Sequence, residues 1–226
     1  LARSGIGTLT IIDMDHVSES NINRQLPALG STIGQSKIEA MKARVVDINP
    51  ECQVHLIDDF VDEENVFSIL ASRPDVLIDC TDQAIAKIAM ILSAKKLRIP
   101  LFVCGAAGGK SNPLALKRGD LSITTHDALL AKLRNQLRRN HGFAKPTLSQ
   151  KTGAKRIPKM GIEVFWVEEE AVMPQAWQQS SDVVDIAVPQ GLSCAGYGSS
   201  VTVTAPMGFA LAQAAIDQVL KTRKHR

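Results

Sequence analysis

Aromatic side chains are scarce in this sequence of 226 residues, at only 4%. Modules that stack single-stranded bases on aromatic rings depend on such side chains, so a module of that kind is not expected. Runs of 18 or more apolar residues are also absent, which argues against a membrane-spanning helix. The first residues lack a basic stretch followed by an apolar one, so no signal peptide is expected.

Cysteine pairs of the C-x-x-C type are absent too. The four cysteines are far apart in the chain: Cys52, Cys80, Cys104 and Cys194. A zinc site built from cysteine pairs is therefore not expected, and free thiols suit a reducing, cytoplasmic location. Cys52, Cys80 and Cys104 fall in or beside apolar segments, which predicts that they are buried core residues.

Acidic residues are missing from one long segment. The net charge is +3, but nine Lys and Arg and no acid occur between Ala128 and Ile162, which leaves about −6 for the rest of the chain. A solvated helix followed by a loop is the simplest interpretation, and contact with a nucleic acid backbone is the alternative. Leucines at helical spacing predict an amphipathic helix over Asp127–Asn140, and Lys145–Lys159 is expected to be a loop.

Apolar, β-branched runs alternate with helical patterns from Thr8 to Gly105. This alternation is typical of an α/β fold, with a mostly parallel sheet and helices on both faces. The predicted strands are Thr8–Asp13, Gln53–Ile57, Asp75–Asp79, Pro100–Cys104, Leu114–Lys117 and Gly161–Val167. The predicted helices are Ser36–Ile48, Glu63–Ala71 and Gln83–Leu97, with a last helix from Pro206, a residue that suits a first helical turn, to Lys221.

Polar and glycine residues directly follow several predicted strands. Asp13 ends the first strand, Asp79 and Asp82 stand at the end of the third, and Gly105–Gly109 follows the fourth. Ligands of open parallel sheets bind at the carboxyl ends of the strands. The sequence therefore predicts a ligand crevice at this edge of the sheet.

Three short strings within this region occur in a specific order. DMDHVSESNINRQ at Asp13–Gln25 is followed by GQSK at Gly34–Lys37 and by DCTD at Asp79–Asp82. Together they resemble the ATP-binding region of the ubiquitin-activating-like adenylating enzymes, the ThiF/MoeB group. The resemblance implies a Rossmann-like fold, with residues 1–226 as one adenylating domain and residues 127–159 as a basic helix-and-loop insertion within it. ATP and Mg²⁺ are the implied cofactors.

The same resemblance implies roles for individual residues. Asp13 would bind the ribose, Asn21, Arg24 and Lys37 would face the phosphates, and Asp82 would lie near Mg²⁺ and the reacting phosphate. The chemistry is consistent with these roles. A carboxylate at a strand end accepts from ribose hydroxyls, and cations stabilise the charge on departing pyrophosphate.

One part of the ThiF/MoeB pattern has no counterpart in the sequence. The group has a first strand and a glycine-rich phosphate turn, whereas this sequence starts with Leu1–Gly7, which is similar to the last turn of a helix ended by glycine. We therefore expect an N-terminally truncated chain without the first βα unit, and weaker ATP binding as a result. The missing phosphate turn supports one alternative function, that of a catalytically incompetent Rossmann-like scaffold that binds tRNA or a partner.

Three further segments resemble one family of the group, the TcdA/CsdL family of tRNA threonylcarbamoyladenosine dehydratases. They are Gly105–Gly109, Asp127–Arg134 with its basic continuation, and Ser193–Ser199. The resemblance implies ATP-dependent dehydration (cyclisation) of threonylcarbamoyladenosine next to the tRNA anticodon, by adenylation of the threonyl carboxylate and ring closure with release of AMP. It also implies a homodimer and a possible sulfur-relay partner from the cysteine desulfurase system. Adenylation of a sulfur-carrier protein is the alternative, against which the absent C-x-x-C pairs argue.

A tRNA substrate changes the interpretation of the basic segment, which becomes the candidate for contact with the RNA backbone. Its candidate residues are Lys132, Arg134, Arg138, Arg139, Lys155 and Arg156. The resemblance makes Cys194 the candidate nucleophile, beside Arg24 and Asp82, because a thiol accepts an activated acyl group. A buried structural cysteine is the alternative for Cys194.

Overall fold

The computed structural model describes residues 1–148, 155–172 and 197–224. The first unit consists of strand β1 (Thr8–Ile12), helix α1 (Lys37–Ile48) and strand β2 (Gln53–Ile57). The two strands are parallel, as predicted, with Ile12 opposite Ile57. Before β1, a short 3₁₀ turn over Ala2–Ser4 ends at Gly5, which adopts the left-handed conformation with φ 71° and agrees with the predicted helix end.

The other long strands form a second, four-stranded sheet. They are β3 (Leu77–Asp79), β4 (Leu101–Cys104), β5 (Leu116–Asp120) and β8 (Glu163–Val167), in the order β3-β4-β8-β5. β3, β4 and β8 are parallel, and β5 is antiparallel to β8. The prediction of a mostly parallel sheet is confirmed, although within the described residues β1 and β2 pair only with each other.

Helices cover both faces of the four-stranded sheet. Helices α3 (Ala84–Leu97) and α4 (Ala128–Asn140) pack on one face, where Val103 and Val164 are buried. Helix α5 (Val201–Lys224) packs on the other face, where its Leu211 and Ala214 are buried together with Phe102 and Phe165 of the strands. Alternation of side chains along β4 and β8 produces these two cores. None of the helices in the described ranges is both long and apolar enough to cross a membrane.

Helix α5 begins earlier than predicted. Pro206 lies inside the helix rather than in its first turn. The hydroxyl of Ser200 accepts a hydrogen bond from the backbone N–H of Thr202, which satisfies one donor of the first turn. Val203 and Met207 are buried against Val167. Burial of this apolar turn, together with the capping bond, offsets the backbone hydrogen bond that proline cannot make.

The shorter elements also differ from the predictions. The predicted helix over Glu63–Ala71 is only a four-residue helix α2 (Val66–Ile69) followed by a 3₁₀ turn. The predicted strand at Leu114 starts at Leu116, because Asn112 and Pro113 begin a 3₁₀ turn. Within the predicted Lys145–Lys159 loop, β6 (Thr147–Leu148) and β7 (Lys155–Arg156) pair in antiparallel fashion.

Candidate functional site

The carboxyl end of β1 carries a small group of exposed charges. The Asp13 carboxylate accepts the backbone N–H of Asp15 at 2.9 Å. The Lys37 ammonium lies 2.7 Å from the Asp15 carboxylate and 4.0 Å from that of Asp13. A backbone bridge between His16 and Ser36 brings Lys37 back to the strand end. The structure therefore brings Asp13 and Lys37 together, although they are far apart in the sequence, and leaves both carboxylates open to water.

Asn21 lies in the short 3₁₀ turn Glu19–Asn21 that follows β1, and Arg24 lies in the turn directly after it. Asn21 is buried, and its side-chain oxygen accepts the backbone N–H of Ser18 in a capping box. Arg24 donates from Nη1 to the Ser20 carbonyl at 2.6 Å and to the Asn23 side chain at 3.0 Å. Nε and Nη2 of Arg24 have no hydrogen-bond partner within the described ranges. Arg24 therefore retains donors for a ligand, whereas Asn21 acts on the local turn.

Residues 198–204 connect this turn to the glycine-rich loop after β4. The side chain of Asn23 donates to the Ser199 carbonyl at 2.6 Å, and the hydroxyl of Thr204 donates to the Arg24 carbonyl at 2.9 Å. From the other side, the backbone N–H of Gly109 donates to the Gly198 carbonyl at 2.9 Å. The Arg24 turn and the Gly105–Gly109 loop are thus fixed to the same segment.

At the end of β3, one acid is buried and the other is exposed. Asp79 and Lys87 are 3.1 Å apart, and both side chains are completely buried. The same Asp79 oxygen also accepts the backbone N–H and the hydroxyl of Thr81. Asp79 therefore does not contribute an exposed group to the predicted crevice, whereas Asp82 is exposed. In the part of the chain that the structure describes, no ion pair or hydrogen bond joins Asp82 to Asp13 or Lys37.

A second buried ion pair, which the sequence did not predict, lies under the glycine-rich loop. One oxygen of Asp127 accepts the backbone N–H of Ala106 at 2.8 Å and lies 3.5 Å from the Lys110 ammonium. Lys110 also donates to the Val167 carbonyl at 2.8 Å. The other Asp127 oxygen accepts the backbone N–H of Leu130 and so caps helix α4. A side chain at Gly105 would collide with Asp127, so glycine is required there.

Sequence signals for these buried pairs exist. Lys87 is a single charge within an otherwise apolar helical run from Ala84 to Leu92. Asp127 immediately precedes the amphipathic pattern of α4, which is the position of an N-cap. Neither signal identifies the partner, because the partner is set by tertiary packing.

The cysteines differ from one another in exposure. Cys52 is buried, as predicted, and Cys104 is partly buried, but Cys80 is exposed, so the prediction of a core position for Cys80 is wrong. A hydrogen bond from the Cys104 thiol lowers the pKa of Cys80 and raises that of Cys104. Cys194 lies outside the described residues.

Helix α4 divides the basic segment into internal and exposed cations. Arg134 donates from Nη1 to the Thr124 carbonyl at 2.8 Å and to the Leu121 carbonyl at 3.3 Å, and burial lowers its pKa. Arg138 is partly buried, and its Nε and Nη2 have no hydrogen-bond partner among the described residues. The exposed cations are Lys132, Arg139, Lys145, Arg156 and Lys159. The side chain of Lys155 is not among those described.

The donors for a metal ion are sparse near the strand ends. Among the described residues, no three His, Cys, Asp or Glu side chains are grouped so as to hold a metal ion by themselves. Mg²⁺ typically takes one or two carboxylates together with substrate phosphates and water. The exposed Asp82 carboxylate fits that role.

Comparison with known proteins gives the family. The model of the ThiF family matches residues 1–226. The chain belongs to the ThiF family. Among individual ThiF relatives, the tRNA threonylcarbamoyladenosine dehydratase of Haemophilus influenzae is 39% identical over 224 residues, which are 99% of this chain and 80% of the relative. The enzyme of the same name from Escherichia coli is 36% identical over 222 residues, 97% of this chain and 80% of the relative.

A solved structure of a dehydratase of the same name is also similar to this chain. The E. coli tRNA N6-threonylcarbamoyladenosine dehydratase, TcdA, in complex with ATP, has a TM-score of 0.80 and 34% identity to this chain. The match covers 100% of this chain and 81% of the E. coli one. The predicted Rossmann-like α/β fold of the ThiF/MoeB type is thereby confirmed.

Proposed function

We propose that this protein catalyses ATP-dependent dehydration of threonylcarbamoyladenosine in tRNA. The observation that carries the proposal is similarity to the dehydratases along almost the whole chain, including an ATP-bound structure. In the reaction, the threonyl carboxylate attacks the α-phosphate of ATP and releases pyrophosphate. An atom of the carbamoyl group then attacks the activated carbonyl, closes the ring and expels AMP. Water is lost overall at the expense of one ATP.

The nucleotide site consists of charged side chains at the strand ends and in the turn after β1. Asp13 accepts hydrogen bonds from the ribose, because its carboxylate is 40% exposed and only partly engaged by Lys37. Lys37 and Arg24 contact the phosphates. Arg24 contributes its free nitrogens, and its turn is anchored on residues 198–204 beside the glycine-rich loop. Asn21 stabilises the segment before Arg24 through its capping box with Ser18.

Asp82 holds Mg²⁺ together with the phosphates. Its exposed carboxylate is the ligand type that this ion prefers, and Mg²⁺ when bound neutralises phosphate charge. The residues of this chain supply orientation and fixed positive charge, which are the main requirements of transfer to the α-phosphate. Direct ring closure requires no protein nucleophile, and covalent capture of the acyl group by Cys194 is the alternative route.

The exposed cations of α4 and β7 form the tRNA-binding surface. The leucines of α4 are buried in the main core, so the helix presents its cations from a rigid support. Lys132, Arg139 and Arg156 are exposed and carry the contacts with RNA phosphates. Arg134 is excluded from this surface because it is hydrogen-bonded inside the fold. A tRNA substrate and the free described thiols support a cytoplasmic location.

The test of the proposed function is AMP formation with modified tRNA and labelled ATP. We expect Arg24→Ala and Asp82→Ala each to lower the rate about 100-fold or more, because each removes a fixed group that acts on the phosphates. Asp47→Ala removes an exposed acid on α1 and is the matched control, with no expected effect. The melting temperature should be unchanged in all three variants. Near-normal AMP formation by Arg24→Ala and Asp82→Ala would contradict the assignment.

A further inference from the structure

Cys80 and Cys104 follow neighbouring parallel strands at equivalent positions. Asp79 at the end of β3 is opposite Val103 in β4, so the next residue of each strand is a cysteine. Alternation places both cysteines on the face that α5 covers, since Ile78 and Phe102, two residues earlier, pack there. Two thiols thus leave adjacent strands on the same side of the sheet.

The two cysteines lie at the ends of neighbouring strands but differ in exposure. Neighbouring strands lie about 4.8 Å apart, which is within the Cα separation that a disulfide requires. Interaction between the two thiols lowers the pKa of Cys80 and raises that of Cys104. Cys80 is exposed, whereas Cys104 is partly buried among the apolar residues beneath α5. The backbone around Cys80 is held because Thr81 donates twice to the buried Asp79 carboxylate. This arrangement places an exposed cysteine beside a partly buried one.

We propose that Cys80 and Cys104 form a two-thiol oxidation site that reacts with hydroperoxides. The Cys80 sulfur attacks the terminal oxygen of the peroxide, the O–O bond breaks, and an alcohol or water leaves, so that Cys80 becomes a sulfenic acid. The Cys104 sulfur then attacks the sulfenic sulfur. An S–S bond forms, the S–O bond breaks, and the hydroxyl group leaves as water with the thiol proton. The peroxide is reduced and the two thiols are oxidised to a disulfide.

The disulfide has a consequence for the nucleotide site, and this part rests on the proposed function. An S–S bond of about 2.05 Å is much shorter than the distance between two unbonded sulfurs, so Cys80 must move towards β4 when the bond forms. The Asp79 side chain is fixed by Lys87 and cannot follow. The displacement therefore strains the two hydrogen bonds from Thr81 to Asp79 and shifts the segment that leads to Asp82. Oxidation is expected to weaken ATP binding, and reduction by dithiothreitol to restore it.

The first test identifies the sulfurs that pair. The purified protein is treated with hydrogen peroxide, the remaining thiols are alkylated, and the cross-linked peptides are mapped by mass spectrometry without reduction. We expect a Cys80–Cys104 disulfide in the wild type and in Cys52→Ala, which alters a buried thiol away from the pair. In Cys104→Ser, we expect a Cys80 sulfenic acid that dimedone traps. A disulfide from either residue to Cys194, or a peroxide-treated protein with both thiols free, would overturn the proposal.

The second test measures ATP binding before and after oxidation. We expect the dissociation constant to rise about ten-fold on oxidation, equivalent to the removal of one charge-assisted hydrogen bond. Cys104→Ser should show no comparable rise, because it cannot form the disulfide. If reduced protein binds no ATP, the proposed function fails while the peptide map still decides the disulfide. A mapped Cys80–Cys104 disulfide with unchanged ATP affinity would overturn the inferred link to the nucleotide site.

Discussion

Lys37 of α1 and Lys87 of α3 contact aspartates near the ends of β1 and β3, in opposite environments. Lys37 is 14% exposed and its partners Asp13 and Asp15 are 40% and 60% exposed, whereas Lys87 and Asp79 are completely buried. An exposed pair is weak because water competes for both charges. A buried pair has lost its water, so removal of one partner leaves an uncompensated charge. The exposed group is suited to bind a ligand, and the buried pair to support the strand end beneath it.

The largest expected effect comes from breaking the buried pair. Lys87→Met leaves the Asp79 carboxylate buried without a counter-charge, and we expect the free energy of unfolding to fall by about 3–5 kcal/mol. Urea unfolding followed by circular dichroism measures this change. In the double variant Asp79→Leu with Lys87→Met, the decrease should be smaller than the sum of the two single decreases, because neither charge remains. A decrease below about 1 kcal/mol for Lys87→Met would contradict the contrast between the pairs.

Replacing Lys37, the lysine whose partners are exposed, should have the opposite pattern. Lys37→Met is expected to change the free energy of unfolding by less than about 1 kcal/mol. It should nevertheless raise the dissociation constant of ATP about ten-fold, since one cation no longer faces the phosphates. Lys42→Met, on the same helix, is the matched control because Lys42 has no ion pair within the described ranges. Isothermal titration calorimetry measures the affinities, and equal ATP affinity for wild type and Lys37→Met would remove Lys37 from the site.

The same contrast explains which features could be predicted from the sequence. Local periodicity in the sequence is sufficient to predict β1, α1, β2 and the position of Asp13 at a strand end. The pairing of Asp127 with Lys110 and the exposure of Cys80 depend on how separate segments pack. Local patterns do not encode such pairings. The internal position of Pro206 has the same cause, because burial of Val203 outweighs the preference of proline for a first turn.

The resemblance implies roles for the charged residues of the proposed nucleotide site, but it treats every cation of the basic segment alike. Arg134 is internal and Arg139 is exposed, although both lie on α4. The difference arises from the position of each residue relative to the buried leucine stripe. Sequence spacing predicts the leucine stripe, but it does not predict the carbonyl groups to which Arg134 donates hydrogen bonds.

The smallest expected effect separates these internal and exposed cations of α4. In the triple variant Lys132→Gln, Arg139→Gln and Arg156→Gln, we expect weaker tRNA binding and a smaller dependence of log affinity on log salt. The slope should fall by about 0.7–0.9 for each phosphate that is no longer neutralised. Arg134→Gln should instead lower the free energy of unfolding and leave the slope unchanged, because its guanidinium is engaged with Thr124. Filter binding over a range of salt concentrations measures both slopes, with ATP affinity as the control. An unchanged slope in the triple variant would mean that these cations are only a solvated surface.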